Sequence, residues 1–283
     1  MQQNASVITG ASGMVKKTST PIPEGYKIPI TFYQPWSTFV MRTKLPPVIL
    51  KKMIKITDDI LSDKNYTSWG KNLAGQINEE PLVETEIIER AGLMPFFLDV
   101  VKKFVIQQTV QSNPFGVWLK GGKLDSKKSI ASQLRHDYYT MEDIINDDWF
   151  TKMVSMWIVS QKDNEYNPCH THTGCHISSV MYLKIPKYIK PRKTHEKIPN
   201  DGAITFFNNA AQDKIWGFQN MTIQPEVGDF FIFPASMIHA VYPFRTANKK
   251  GERRSVSFNS VFSSNCMPFV QYQTPEGNKF DSY

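Results

Sequence analysis

The sequence predicts a mainly β protein with helices at its N-terminal end, the β part forming a jelly roll. Three observations carry that expectation. From about Met153 the chain breaks into short β-prone runs, MVSMWIVS, ISSVMYLKI, AITFFNN, MTIQP, DFFIFP and SVSFNSVF, separated by Pro, Gly and Asn. No helical stretch of βαβ length lies between them, which favours a barrel or sandwich over a parallel α/β sheet. Upstream, apolar residues recur instead at helical spacing.

Residues 1–27 are rich in Ser, Thr, Gln, Gly and Pro with no apolar period and read as a flexible arm. Residues 28–150 read as a helical support for the β core. Within them, a short extended piece covers Phe32 to Val40. A first helix follows Pro46-Pro47, with Ile49, Leu50, Met53, Ile54, Ile56, Ile60 and Leu61 as its stripe. A second begins near Leu93, with Phe96, Phe97, Val100, Val101, Phe104 and Val105 along one face. Both stripes have the form of core packing. Residues 151–262 form the strand-rich core, and 263–283, again rich in Pro, Gly and Asn, read as a surface tail. The whole is expected to be one compact domain.

Composition bounds the function. The 283 residues, 41% hydrophobic and 21% charged, can bury a sizeable core. No run approaches the roughly 18 to 20 apolar residues that span a bilayer, and the opening segment lacks the apolar centre of a secretory signal, so a cytoplasmic protein without membrane partners is expected. Three cysteines, Cys169, Cys175 and Cys266, are too few and too odd for a disulfide framework. Cys169 and Cys175 flank histidines, which raises a structural zinc site, but no C-x-x-C pair is present. Part of the net charge of +7 is concentrated in KIPKYIKPRKTHEK, with Lys184, Lys187, Lys190, Arg192, Lys193 and Lys197. Lys184 to Pro199 is long enough to act as a lid, and its charge points to an acidic or phosphorylated substrate. The other reading is a solvated loop punctuated by Pro186 and Pro191. Nothing matches an aromatic-rich RNA-binding strand, so nucleic acid is not the expected partner.

The chemistry is concentrated in four of the six histidines: His170, His172 and His176 in NPCHTHTGCHISSVMYL, and His239 in GDFFIFPASMIHAVYP. Neutral imidazole is the commonest protein ligand for divalent transition metals, and H-x-H on a strand turns both rings to one face. A third histidine from a distant strand closes a triangular face and leaves positions open on a mononuclear metal. His136 and His195 fit no motif. On the last strand, alternation places Arg253, Ser255, Ser257 and Asn259 on one face and Arg254, Val256 and Phe258 on the other. The first face is wholly polar, so it meets water or lines a polar cavity. An arginine with a hydroxyl two residues away is suited to gripping a carboxylate.

In sequence order, H-x-H, then G-D-x-x-x-F-P-x-x-x-x-H, then R-x-S resembles the Fe(II)- and 2-oxoglutarate-dependent oxygenases. HTHTGCHISSVMYL, PEVGDFFIFPASMIHAVYP and RRSVSFNS are similar to the small microbial and phage members of that superfamily, as is a Gly-Gln-Ile segment in LAGQINEE, Leu73 to Glu80. The resemblance is strong over residues 153 to 262 and thin before them. It implies a double-stranded β-helix, the cupin-like form of the jelly roll, with iron between the two sheets. His170, His172 and His239 match the metal ligands. Arg253 and Ser255 match the pair that holds the C5 carboxylate of 2-oxoglutarate, with Tyr182 a further contact. Fe(II), 2-oxoglutarate and O2 are then the cofactor and co-substrates, and the expected outcome is hydroxylation of an unidentified substrate with release of succinate and CO2. No catalytic side chain is expected beyond the metal centre. Where the common pattern has H-x-D or H-x-E, this chain has His170-Thr171-His172, so the site carries one more positive charge once metal binds.

Two other readings stay open on the residues alone. His176 lies where a cupin places the glutamate of H-x-H-x-x-x-E, so a four-histidine dioxygenase or isomerase without 2-oxoglutarate would use it. The oxygenase reading instead gives His176 a supporting hydrogen bond or substrate contact. A non-catalytic jelly-roll module is the third reading. Trp157, Asn167, Tyr166 and Asn259 are expected near the site, as pocket walls or supporting contacts.

Overall fold

The computed structural model describes residues 39–112, 118–119, 138–189, 200–207 and 220–265. The expected arm, most of the Phe32 to Val40 piece, most of the tail, residues 190–199 of the Lys184 to Pro199 segment, His136, His195 and Cys266 lie outside the described residues.

Eleven strands are described: β1 (Met41–Lys44), β2 (Trp118–Leu119), β3 (Tyr138–Tyr139), β4 (Phe150–Lys162), β5 (Asn167–His170), β6 (Ile177–Lys184), β7 (Ile204–Phe207), β8 (Asn220–Ile223), β9 (Asp229–Pro234), β10 (His239–Val241) and β11 (Glu252–Ser263). Four helices accompany them: α1 (Pro47–Ser62), α2 (Thr85–Arg90), α3 (Met94–Ser112) and α4 (Met141–Ile145). One sheet runs β1-β9-β6-β11-β4 and the other β5-β10-β7-β8, while β2 and β3 form a separate ribbon. All pairings are antiparallel.

Take β4 to β11 as eight consecutive strands. The first sheet then holds the first, eighth, third and sixth, and the second holds the second, seventh, fourth and fifth. The chain thus winds between two sheets as a double-stranded β-helix, the jelly roll expected from the sequence.

Period-two alternation assigns the faces. Met156 and Ile158 of β4, Met181 and Leu183 of β6, Phe230 and Ile232 of β9, and Val256 and Phe258 of β11 share a core with Ile49 and Met53 of α1, Ile88 of α2, Phe97, Val101 and Phe104 of α3, and Ile144 of α4. Their neighbours Val180, Tyr182, Phe231 and Phe233 point the other way and meet Ile204, Phe206 and Val241 of the second sheet. Strands buried on both faces need no polar alternation, which is why VMYL and FFIF are continuous apolar runs.

The helices form where the stripes predict. Pro47 opens α1, where its missing N–H costs nothing, and Ile49, Met53 and Thr57 make its buried line. On α3, Phe97 stands edge-on to Phe230 at 6.1 Å and tilted to Phe258 at 5.5 Å, tying the helix to two strands. Phe97→Ala is expected to cost about 3–5 kcal/mol in chemical denaturation, the usual range for emptying a filled aromatic site.

Two buried ionic ties fix the sheet against its surroundings. Asp229 binds Arg42 at 2.8 Å and Lys44 at 2.8 Å, joining β1 to β9. On the helix side, Arg254 bonds Glu252 at 2.8 Å and the Thr57 hydroxyl of α1 at 3.1 Å, and it also pairs with Asp58. Glu252 also receives Lys184 at 2.7 Å. Burial alone would raise the Glu252 carboxyl, but hydrogen bonds from Arg254 and Lys184 outweigh it and bring it down to about 2. A carboxyl depressed on folding contributes stability that is present above its unfolded value and lost as pH falls through its folded value. Glu252→Gln is therefore expected to destabilise by roughly 1–2 kcal/mol at pH 7, after allowance for solvent screening. In pH-resolved urea melts that difference should fade between about 4.5 and about 2.

Candidate metal centre and its cavity

The cross-strand pair His170 and His239, on β5 and β10, begins the site. Nδ1 of His170 donates to the Pro168 carbonyl at 2.7 Å, and Nδ1 of His239 donates to the Met237 carbonyl at 2.9 Å. Each ring is thereby held in the tautomer that leaves its Nε2 lone pair free. His172 is the third member, and its position corrects the expectation that both H-x-H rings sit on one strand. Strand β5 ends at His170, and His172 lies in the following loop. There its N–H donates to the Ala235 carbonyl at 2.9 Å, which sets the loop against the end of β9.

The ligand atoms of His170, His172 and His239 all lie within 4.8 Å of one another. Nε2 of His172 and Nε2 of His239 face each other at 3.3 Å, with their rings stacked 6° from parallel. Ring nitrogens converging in this way are what a shared cation would bridge. Burial, then the proximity of the other rings, holds His172 down to about 3, and His239 is lowered to about 4 for the same reasons. His170 is also lowered by burial. All three are neutral near pH 7, the form that ligates metal. Phe233 stands edge-on to His239 at 4.7 Å, and Trp157 lies 5.9 Å from His172, giving the site an apolar wall.

Neither cysteine belongs to the cluster: Cys169 is exposed, and burial pushes the Cys175 thiol up to about 12. His176 is not in it either. Its Nδ1 accepts the Phe262 N–H at 3.1 Å and its ring meets the Phe262 ring edge-on at 5.0 Å, away from the cavity wall.

A cavity of about 670 Å³ opens beside the histidines, within the size range of small-molecule sites. The polar face of β11, Arg253, Ser255, Ser257 and Asn259, lines it, together with Tyr182. Arg253 is 1% exposed, and among the described residues no carboxylate pairs with it. One of its terminal nitrogens donates to the Gly202 carbonyl at 2.7 Å, its guanidinium sits 5.3 Å over the Tyr182 ring, and its Nε has no partner among the described residues. The Tyr182 hydroxyl, buried and also unpartnered, is pushed up to about 12 by burial, with Arg253 opposing the shift. Ser255 pairs with Tyr182 in register between β11 and β6. Gly202 shapes this end: its φ is +68°, and a side chain there would overlap the Tyr188 ring.

The residues singled out from sequence are thus brought to one cavity: His170, His172, His239, Arg253, Ser255, Tyr182, Asn259, Trp157 and Asn167 all line it, whereas His176 and Tyr166 do not. Sequence reasoning missed Glu80, a buried carboxyl on the same wall that burial, then Glu165, raises to about 7. No local pattern in LAGQINEE marks Glu80 as buried, and its burial comes from pairing with β4.

Fold and site together define a jelly-roll protein with three converging histidines that could hold a metal ion. Residues 155–259 match the family model described as "Putative 2OG-Fe(II) oxygenase". Over those residues the chain is similar to the 2-oxoglutarate–Fe(II) oxygenases, enzymes that use ferrous iron, 2-oxoglutarate and O2. No curated protein matches the chain. Among solved structures it is similar to an oxidoreductase of the 2OG-Fe(II) oxygenase family from Burkholderia pseudomallei, with 13% identity over 42% of this chain and TM-score 0.31. The alignment spans 48% of that protein, about half its length. It is also similar to a prolyl-4-hydroxylase from Pseudomonas putida (9% identity, 78% of this chain and 92% of that one, TM-score 0.41). A third is a prolyl hydroxylase from Trichoplax adhaerens in complex with a hypoxia inducible factor peptide (9% identity, 79% and 83%, TM-score 0.42). Among the described residues no helix is long and apolar enough to cross a membrane.

Proposed function

We propose that this protein is a 2-oxoglutarate-dependent oxygenase, and a hydroxylase, in which His170, His172 and His239 hold Fe(II), while Arg253, Ser255 and Tyr182 hold 2-oxoglutarate. The observation that carries the reading is Arg253: a buried guanidinium with an unpartnered Nε, beside an unpartnered buried hydroxyl, in the cavity that contains three converging neutral imidazoles. A buried charge without a counter-ion is costly, and the cost is relieved by an anionic ligand that fits. A dicarboxylate with one end at the metal and the other at Arg253 has that form. Residues 151–262 are then the catalytic core, and the helices within 28–150 its support.

Three neutral nitrogen donors would suit a divalent first-row metal and would leave positions on it open to 2-oxoglutarate and O2. When bound, ferrous iron couples decarboxylation of 2-oxoglutarate to reduction of O2, giving succinate, CO2 and one oxygen atom for a substrate C–H bond. The chain's own residues do the positioning. Arg253 donates to the far carboxylate, and the Tyr182 and Ser255 hydroxyls add neutral donors beside it. Carbonyls of Pro168 and Met237 keep two of the rings in the ligating tautomer. Phe233 and Trp157 keep water from the metal side of the cavity. The position of His176, pinned to Phe262, supports a set of three histidines over the four-histidine alternative.

The test is succinate formation from 2-oxoglutarate by anaerobically prepared, Fe(II)-loaded protein after O2 is admitted. Slow turnover without added substrate is expected. Tight iron binding with no consumption of 2-oxoglutarate would overturn the reading.

A further inference from the structure

The cavity has a second charged group that the 2-oxoglutarate reading leaves unused. Three backbone bonds lay residues 79–83 along the free edge of β4: Ser160 N–H to Glu79 O at 3.0 Å, Ile158 N–H to Pro81 O at 2.8 Å, and Val83 N–H to Met156 O at 2.8 Å. Alternation sends Val83 into the helix-side core and Glu80 to the opposite face, where it joins Trp157 and Val159 on the cavity wall. Glu80 is 2% exposed and its Oε2 has no partner among the described residues. It is the only acidic side chain among the described residues of that wall.

A second acceptor stands beside it. A Cβ at Gly75 would overlap the Asn167 Oδ1 and lie 3.0 Å from Glu80 Oε1, and one at Gly70 would lie 3.3 Å from Glu80 Oε2. Two side-chain oxygens therefore converge on a cradle that glycine keeps open, with the indoles of Trp69 and Trp157 on the same wall. Acceptors facing a pocket bordered by aromatic faces recognise a cation with N–H groups.

On the oxygenase reading above, we propose that Glu80 and Asn167 bind a protonated nitrogen of the substrate, an amino or guanidino group, so that the enzyme acts on a basic molecule or a basic side chain. The cavity is then electrically divided: Arg253 takes the anionic co-substrate, and Glu80 takes the cationic substrate. A cation beside Glu80 favours its ionised form, so the carboxyl that burial keeps partly protonated near neutrality becomes a full counter-charge on binding. This differs from the acidic or phosphorylated substrate expected from the lysine-rich segment, most of which lies outside the described residues.

The test uses the anaerobic Fe(II)- and 2-oxoglutarate-loaded protein and calorimetric titration with Nα-acetyl-lysine methylamide, Nα-acetyl-arginine methylamide, free lysine, free arginine and the neutral methylamide of Nα-acetyl-2-aminoheptanoic acid, whose side chain has the length of lysine's. At least one cation is expected to bind about 10- to 100-fold more tightly than the neutral probe, the span of a charge-assisted hydrogen bond. Preference for capped over free cations would identify a peptide side chain, and the reverse a small molecule. Glu80→Gln, which removes a buried charge at constant shape, is expected to abolish the preference. Gly75→Ala is expected to weaken cation binding by filling the cradle. Equal binding of cation and neutral probe, no binding of any cation, or a preference that survives Glu80→Gln would overturn the proposal. Binding of 2-oxoglutarate, read on the same samples from the visible absorption of its iron complex, reports separately on the oxygenase reading.

Discussion

Replacing His239 with alanine is expected to lower Fe(II) affinity at least about 100-fold and to abolish succinate formation. Loss of a mere supporting contact to a metal ligand already costs 10- to 100-fold, and this change removes a ligand itself. His239 is the central member: it pairs with His170 across β5 and β10, and its Nε2 lies 3.3 Å from that of His172. The remaining two rings offer two donors and no closed face. Chelator competition measures the affinity, and a urea melt of the metal-free protein separates this effect from the packing lost against Phe233. If the variant binds iron as tightly as the parent, the three-histidine assignment fails.

Arg253→Met is expected to weaken 2-oxoglutarate binding by about 30- to 1,000-fold, the equivalent of losing 2–4 kcal/mol from a buried charge pair. The stability effect should have a different sign from the binding effect. Without co-substrate the guanidinium is buried and lacks a counter-ion among the described residues, so an apolar side chain of similar length should leave the thermal midpoint unchanged or raise it. The upward shift in the parent on adding 2-oxoglutarate should vanish. Arg253→Lys is not expected to restore affinity, because a single ammonium cannot reproduce the planar fork of donors. Calorimetry and thermal melts with and without 2-oxoglutarate check all three statements. An arginine serving only the fold would show the reverse: a lowered midpoint with co-substrate affinity intact.

The fold was legible where burial leaves a local period. Ile49 and Met53 mark the inward line of α1, and Phe97, Val101 and Phe104 that of α3. The polar face of β11 could be read as a cavity wall because an Arg-Ser-Ser-Asn line is foreign to a sandwich interior. Strand β1 was not legible, and β5 and β10 were expected only as strands carrying histidines, without their bounds. They have three or four residues each and are held by pairing with distant segments, so no periodicity in NPCH or HAV announces them. The helices α2 and α4 were missed for the same reason of length, although Thr140 and Asp143 form a capping box at the start of α4.

At the site, the histidines were legible by residue type and order, but not their disposition. Nothing in H-x-H says that the strand ends at the first histidine and that the second is aimed by a bond to Ala235. The spacing of His176 fitted a cupin ligand, and only the contact with Phe262, 86 residues away, shows where its ring goes. Glu80 was hidden for a related reason: its burial is created by a strand-like pairing with β4 across some 80 residues of sequence.

The most direct test of the central claim is an anaerobic titration of the Fe(II)-loaded protein with 2-oxoglutarate, followed by the visible charge-transfer absorption that arises when the keto acid chelates ferrous iron. A saturable band, lost in His239→Ala and shifted to much higher 2-oxoglutarate concentration in Arg253→Met, is the predicted result. Stoichiometric iron binding without such a band, at 2-oxoglutarate concentrations well above those that saturate related sites, would contradict the account.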